Sequence, residues 1–226
     1  MNWQDEGFLI SKIKFRENAN IINVFTSQHG KISGIVYGGN SRKIKNYLQT
    51  SNKIFVVYNS KNENKIGYFK TELVEPYAPK YFNNKLKTSA LLSCTSLLTA
   101  LLPESQPNNI IYKSFNLFLE SMSYDNWVVN YIMWELNLIQ ELGFGIELNK
   151  FTNIISSNNN ITNVKIDNVS YQIPNVLILN SDIKNFTNET IVKSLIFNRN
   201  LMLNKFFTPN NLIFPKTRII MENYFN

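Results

Sequence analysis

The 226-residue sequence predicts an α+β fold, in which a small β-barrel precedes a mainly α-helical domain. Two patterns predict this organisation. Hydrophobic residues alternate with a period of two along residues 1–75, as they do in half-buried β-strands. After the proline-containing residues 75–79, hydrophobic residues recur at helical spacing instead. We therefore predict a barrel domain over residues 1–78 and a helical domain over residues 79–226.

Five short segments in the first part of the chain are typical of β-strands. They lie at residues 8–14, 21–26, 31–37, 53–58 and 66–72. The residues between the third and fourth segments, 42–49, are numerous enough for a short helix or an ordered loop. Five strands with such an insertion are typical of an OB-fold, a small Greek-key barrel. An SH3-like barrel has the same number of strands, and the number alone does not separate the two.

The remaining chain is predicted to be mainly helical. Pro76 and Pro79 lie close together, and we expect their linker to form neither a helix nor a central strand. Hydrophobic spacing then predicts helices at residues 85–102, 109–122, 125–142 and 215–224, and one more that Thr187 or Asn188 caps and that reaches Phe206. Residues 151–179 have an irregular or weakly β pattern.

The third predicted helix is apolar on almost every side, which predicts a position at the centre of a helical bundle. Its hydrophobic stripe consists of Val128, Ile132, Leu136 and Ile139. Glu135 then needs a hydrogen-bond partner or a route to water, because a buried carboxylate without either is costly. Gly143 stands where a C-cap glycine would end the helix.

Residue types that support catalysis or metal binding are scarce. Cys94 is the only cysteine and His29 the only histidine, so the chain cannot form an intrachain disulfide or a structural zinc site. The sequence has no Gly-x-x-x-x-Gly-Lys phosphate loop and no Gly-x-Ser-x-Gly nucleophile turn. We therefore predict a non-enzymatic protein without a cofactor or metal. The polar first residues and the short apolar stretches predict a cytoplasmic protein without a membrane segment.

Positive charge is concentrated in the first third of the chain. Residues 1–80 contain 12 Lys and Arg against 6 Asp and Glu, a balance of +6, whereas the net charge of the whole chain is +7. Such a local excess is typical of nucleic-acid-binding proteins, although an ordinary charged surface would fit the charge equally well.

Six of these twelve cations fall into two groups that we predict to bind DNA. Period-two spacing should place the first group, Lys12, Lys14 and Arg16, on one face of the first strand. The second group, Arg42, Lys43 and Lys45, follows the third strand, and we add Lys31 at the start of that strand. The aromatic residues between them either stack on unpaired bases or belong to the barrel core. These residues are Tyr37, Tyr58, Tyr68 and Phe69.

Several short motifs resemble those of the RecO family. Residues 3–7 (WQDEG), with Ser11 after them, resemble the opening of RecO proteins, and Glu17 stands where the family often has a Gly-Glu pair. Residues 26–31 (TSQHGK) and 37–42 (YGGNSR) resemble two loops of the family, and Leu48-Gln49 its Leu-Gln before the fourth strand. Residues 134–136 and 141–145 resemble part of its helical domain.

The resemblance implies an OB-fold domain followed by a helical domain. It further implies binding of single- and double-stranded DNA and annealing of complementary strands. The partners it implies are RecR, the single-strand-binding protein and RecA, which the family helps to load during gap repair.

The sequence departs from the family's pattern in three places. Many members carry a four-Cys zinc site, which Cys94 alone cannot form. Residues 151–179 do not match the usual pattern, which puts any partner surface there in doubt. Arg16 replaces the glycine of the Gly-Glu pair, so that turn gains a charge.

Overall fold

The N-terminal strands close into a five-stranded barrel. A computed structural model describes residues 2–61, 65–155 and 160–225 of the chain. All five predicted strands are present: β1 (Asn2–Arg16), β2 (Ala19–Thr26), β3 (Gly30–Tyr37), β4 (Lys53–Asn59) and β5 (Gly67–Glu75). They close in the order β1-β2-β3-β5-β4, with a short helix α1 (Arg42–Tyr47) between β3 and β4. This arrangement is that of an OB-fold, as predicted.

The barrel core is built from alternate residues of the strands, which point to one side of the sheet. Its buried side chains are Leu9, Ile22, Val24, Val36, Leu48, Ile54, Val56, Tyr58 and Phe69. Two strand glycines make room for the rings, since an added Cβ would lie 2.5 Å from Phe69 at Gly34 and 2.4 Å from Tyr58 at Gly67.

The linker between strands and helices differs from the prediction. Tyr77–Lys80 form a single helical turn, α2, although both prolines lie in this segment. Pro76 is the N-cap and Pro79 lies in the first turn, where no backbone N–H is needed for a helical hydrogen bond. The predicted exclusion of a helix from the linker is therefore wrong.

The chain divides into two compact units. The first comprises residues 1–112 and 215–221, and it contains the barrel, α2 and the helix α3 (Lys85–Leu101). Within it, the Thr99 hydroxyl donates to the carbonyl of Ile10 at 3.2 Å, which joins α3 to β1. The second unit comprises residues 113–214 and 222–226. A domain boundary at residue 78 stays a prediction.

The C-terminal half has the helices that the sequence predicts, one short helix inside the segment predicted to be irregular or weakly β, and one hairpin. The helices are α4 (Asn109–Ser121), α5 (Trp127–Ile139), α6 (Asn175–Ile178), α7 (Asn188–Met202) and α8 (Lys216–Asn223). Strands β6 (Ile161–Ile166) and β7 (Val169–Pro174) form a two-stranded antiparallel sheet in the segment that reads as irregular or weakly β. Residues 156–159 of that segment lie outside the described residues.

Helix α5 is largely buried, as predicted, with one difference in its stripe. Leu138 is fully buried, whereas Leu136 is only half-buried. The Glu135 carboxylate accepts hydrogen bonds from the Tyr131 hydroxyl at 2.7 Å and from Asn198 Nδ2 at 3.2 Å. After the helix, Gly143 has φ +91°, a left-handed conformation that favours glycine.

Candidate nucleic-acid interface

Six of the seven predicted cations lie at one end of the barrel. The β1–β2 turn, the loop from β3 to α1, and α1 itself form this end, which we call the basic end. Its cations are Lys12, Lys14, Arg16, Arg42, Lys43 and Lys45, all of them exposed except the half-buried Lys12. The Lys12 ammonium group, bonded to the carbonyl of Leu48 just after α1, brings the two groups of cations close together, and their role in DNA binding stays a prediction.

Polar contacts hold the loops of the basic end together. Gly38 N donates to the carbonyl of Asn18 at 2.8 Å, and Asn40 Nδ2 donates to the carbonyl of Glu17 at 2.7 Å. Asn20, which pairs with Lys14 across β1 and β2, donates to Asn40 Oδ1 at 3.2 Å. These bonds fix the β1–β2 turn against the loop that leads to α1, so the cations on both are presented by an ordered surface.

Lys12 connects the first strand to α1. Its ammonium group donates to the carbonyl of Leu48, just after α1, at 2.6 Å. Partial burial, and then the nearby charge of Lys45, lower the pKa of Lys12 below its ordinary value of 10.5. The two cations therefore repel each other, and a phosphate between them would relieve that repulsion.

Arg16 does not share the face of Lys12 and Lys14. Those lysines lie opposite Ile22 and Asn20, but a β-bulge intervenes after Lys14, and Arg16 pairs with Ala19. Because a bulge puts the strand out of step by one residue, the expected common face of all three cations is wrong for Arg16. Its guanidinium lies 5.1 Å from the centre of the half-exposed Phe15 ring.

Lys31 lies away from the basic end and is only 8% exposed. Its ammonium group donates to the carbonyl of Thr99 at 2.9 Å and forms an ion pair with Glu104 at 3.3 Å. The backbone carbonyl of Lys31 also accepts a hydrogen bond from Ser105 N. Lys31 therefore attaches β3 to the end of α3 and the loop after it, and we leave it out of the interface.

The four candidate stacking residues separate into two pairs. Tyr58 and Phe69 belong to the barrel core, with ring centres 5.1 Å apart. Tyr37 and Tyr68 point outward and are 59% and 38% exposed. Only the second pair can meet a base from solution on the outside of the barrel.

A row of apolar side chains crosses the outside of the barrel. The strand register places four residues side by side on β1, β2, β3 and β5: Ile13, Ile21, Ile35 and Tyr68. Ile13 is 64% exposed and Ile21 half-buried, whereas Ile35 is buried. Together with Tyr37, which follows Ile35 on the same side of β3, these residues form what we call the outer face. In OB-folds, the β2–β3 surface is where oligonucleotides bind.

Sequence reasoning missed the outer face, although a signal was present. In the first three strands, hydrophobic residues stand at consecutive positions and so point to both sides of the sheet, such as Ile21 beside Ile22 and Ile35 beside Val36. A strand that is solvated on one side usually alternates with polar residues. Apolar residues on both sides therefore indicate strands that pack on both sides, as Phe8 and Phe25 do against Tyr112.

Two segments that carry the family resemblance meet at the other end of the barrel. The His29 ring stacks on Trp3 with centres 3.9 Å apart, and Asp5 accepts a hydrogen bond from Gln28 N at 3.2 Å. Gly30 follows with φ +71°, and an added Cβ there would lie 2.2 Å from the carbonyl oxygen of Gln106. The β2–β3 turn is thus fixed to both β1 and the loop after α3.

Within residues 2–61, 65–155 and 160–225, no three His, Cys, Asp or Glu side chains are grouped so that they could hold a metal ion. Among the helices of the same residues, none is long and apolar enough to cross a membrane. Cys94 is buried in α3.

Two family models match this sequence. The one described as "Recombination protein O N terminal" covers residues 1–77, and "Recombination protein O C terminal" covers residues 84–154.

Curated relatives with the name "DNA repair protein RecO" are similar to most of the chain. The protein of Ehrlichia chaffeensis is 34% identical over 164 residues, which are 72% of this chain and 66% of the relative. The protein of Wolbachia sp. subsp. Drosophila simulans is 34% identical over 152 residues, which are 66% of this chain and 62% of the relative. The matched part thus spans slightly less than two thirds of these relatives.

Proposed function

The chain belongs to the RecO family of recombination proteins, and we propose that it is a non-catalytic recombination mediator in DNA repair. In this proposal it binds single- and double-stranded DNA in the cytoplasm and promotes annealing of complementary strands. It also assists RecA loading together with RecR. The basic end of the OB-fold barrel is the observation that carries the proposal.

The basic end suits a phosphate backbone. Five of its cations are exposed, and ordered loops hold them on one side of the fold. Cations that meet several phosphates together release condensed counterions, which drives binding at low salt. The proposed DNA-binding residues are therefore Lys12, Lys14, Arg16, Arg42, Lys43 and Lys45.

The outer face suits unpaired bases. Tyr37 stands at the end of β3, immediately before the loop that leads to Arg42, so the exposed ring adjoins the cations. A single strand whose phosphates lie along the basic end can place its bases against Tyr37 and the row beyond it. Stacking on aromatic rings contributes about 1–3 kcal/mol per base and depends little on sequence.

Annealing follows from the same surface. Two complementary strands repel each other through their phosphates, and a cationic surface that binds either strand lowers this repulsion. The contacts between bases and the outer face depend little on sequence, so the surface can hold either of the two complementary strands. The proposed partnership with RecR, RecA and the single-strand-binding protein rests on family membership, without an assigned contact surface.

Fluorescence anisotropy of a labelled single strand, measured at two salt concentrations, tests the proposal. We expect saturable binding that weakens steeply as salt rises, because phosphate contacts are exchanged for counterions. The absence of binding at low salt would contradict it.

A non-catalytic scaffold that binds protein through its basic barrel is the second candidate. Three exposed apolar or aromatic side chains of the outer face, Ile13, Tyr37 and Tyr68, favour it, since they also suit a protein partner. The same anisotropy experiment separates the two candidates, because a scaffold would not bind the oligonucleotide in a salt-dependent manner.

A further inference from the structure

We propose that the cleft beside Trp3 and His29 is a separate subsite that stacks one unpaired base of a bound strand. This inference rests on the proposed function, because it assumes that the barrel binds single-stranded DNA. It adds a second binding position, at the end of the barrel away from the basic end, which contacts a base instead of a phosphate.

The cleft is an open cavity with aromatic walls. Its volume is about 670 Å³, within the range of pockets that hold small organic groups. Three of its lining residues form a ring stack: His29 on Trp3, with centres 3.9 Å apart, and Trp3 on Tyr58, with centres 5.0 Å apart. The planes are inclined by only 20° and 25°. A planar base can continue such a stack.

Polar groups on the rim suit the edge of a base. Ser33, Ser60 and Gln28 line the cleft. The Ser33 hydroxyl donates to Asn23 Oδ1 and the Ser60 hydroxyl to the carbonyl of Lys65, so each can accept a hydrogen bond, whereas the exposed amide of Gln28 can donate or accept one. Lys65, which is exposed, supplies one cation for a neighbouring phosphate. Glu104 also lines the cleft, but Lys31 neutralises its charge.

The cleft is continuous with the outer face. Ser33 and Ile35 lie on the same side of β3, two residues apart, and Tyr37 follows at the basic end. The four residue steps along the strand from Ser33 to Tyr37 span roughly 13 Å. A single strand that lies along β3 can therefore reach both the basic end and the cleft, since OB-folds cover about 4–16 nucleotides.

The geometry of His29 makes it the best residue for a test. Its backbone N–H, which donates to the Thr26 hydroxyl at 3.0 Å, stays in any substitution, whereas its ring stacks only on Trp3 among the rings of the described residues. Trp3 and Tyr58 also pack against the barrel core, so their removal would weaken the fold.

The experiment compares His29→Ala with the unmodified protein on two ligands. One is a thymidine oligonucleotide of about 16 residues, and the other is an abasic strand with the same number of phosphates. We expect the affinity for the thymidine strand to fall by about 5- to 100-fold, which corresponds to the loss of one base stack. The affinity for the abasic strand and the salt dependence should not change, because no phosphate contact is lost.

Two further variants complete the test. His29→Phe, which keeps a ring, should restore most of the affinity, and Gln4→Ala, an exposed change beside Trp3 on β1, should have no effect. Circular dichroism checks that each variant is folded. Unchanged affinity in folded His29→Ala, or an equal loss on both ligands, would overturn the subsite. A failure of the unmodified protein to bind the thymidine strand would instead contradict the proposed function itself.

Discussion

At the scale of single residues, Lys12 is a cation that the barrel holds in an electrostatically unfavourable position. Its ammonium group is half-buried, bonded to the carbonyl of Leu48 and close to the charge of Lys45. Burial and that charge lower its pKa below 10.5, so the free protein holds the Lys12 proton less tightly than an unfolded chain would. Charged Lys12 therefore lowers folding stability at neutral pH, and this loss disappears as pH rises through its folded-state pKa.

A pH series tests whether this residue meets phosphate. Because Lys12 loses its proton before an ordinary lysine does, the affinity for a single strand should begin to fall below pH 10.5. Lys12→Arg, which stays charged, should shift the start of this fall to higher pH. Identical pH profiles of the two proteins, measured by anisotropy, would remove Lys12 from the interface.

Gly30 is a second residue whose role is structural and testable. Its φ of +71° is left-handed, and an added Cβ would lie 2.2 Å from the Gln106 carbonyl oxygen. Gly143 is a matched control, since its φ is +91° but an added Cβ would have no neighbour within 4 Å. Gly143→Ala should cost about 1–2 kcal/mol of unfolding free energy through backbone strain alone. Gly30→Ala should cost clearly more in thermal denaturation, and equal costs would show that the contact with Gln106 is not required.

At the scale of elements, the sequence predicts where the strands lie, but it predicts the directions of their side chains only in part. Alternation predicted all five strands, and helical spacing predicted α3, α4, α5 and α7. The β-bulge after Lys14 has no local sequence signal, and it turned Arg16 away from its expected face. Lys31 is buried by Thr99, 68 residues later in the chain, a contact that no local pattern reveals.

For the aromatic residues and for α5 as well, the local sequence does not determine which side chains are buried. Tyr58 and Tyr68 are both strand tyrosines, and only the barrel closure decides that one faces the core and the other solvent. On α5, nearly continuous hydrophobicity leaves the buried side undetermined. The sequence places Leu136 in the buried stripe, whereas in the structure Leu138 is the more buried residue.

This difference on α5 gives a stability prediction. Leu138→Ala should reduce the unfolding free energy by about 2–5 kcal/mol, as truncation of a fully buried leucine does. Leu136→Ala should cost less, because that side chain is only half-buried and lines an open cavity. Chemical denaturation of both variants provides the comparison. A larger loss for Leu136→Ala would show that the packing of α5 has been assigned incorrectly.

At the scale of the whole molecule, the charge distribution predicts that the barrel carries the proposed DNA affinity. The balance over residues 1–80 is +6 out of a total of +7. The first compact unit also includes α3, whose Thr99 contacts both Ile10 and Lys31. We therefore expect the proposed DNA binding and stable folding to require different lengths of chain.

Two N-terminal fragments test this separation. A fragment of residues 1–79 keeps every cation of the basic end but loses α3. It should therefore still bind DNA, but it should unfold at a lower melting temperature than a fragment of residues 1–106. A fragment from residue 80 onward should bind weakly, because it carries little net charge. Binding by this last fragment, when folded, as strong as that of the full chain would contradict the assignment to the barrel.

The most direct test of the basic end is the salt dependence of the Arg42→Ala, Lys45→Ala double variant. Each lost phosphate contact should flatten the slope of log affinity against log salt by about 0.7 for single strands, so two losses should flatten it by about 1.4. The loss should be the same for oligonucleotides of different sequence, because phosphate contacts carry no sequence information. A double variant of two exposed lysines far along the chain, Lys165→Ala with Lys184→Ala, should leave the slope unchanged. An unaltered slope in the folded Arg42→Ala, Lys45→Ala protein would contradict the proposal that the basic end holds DNA.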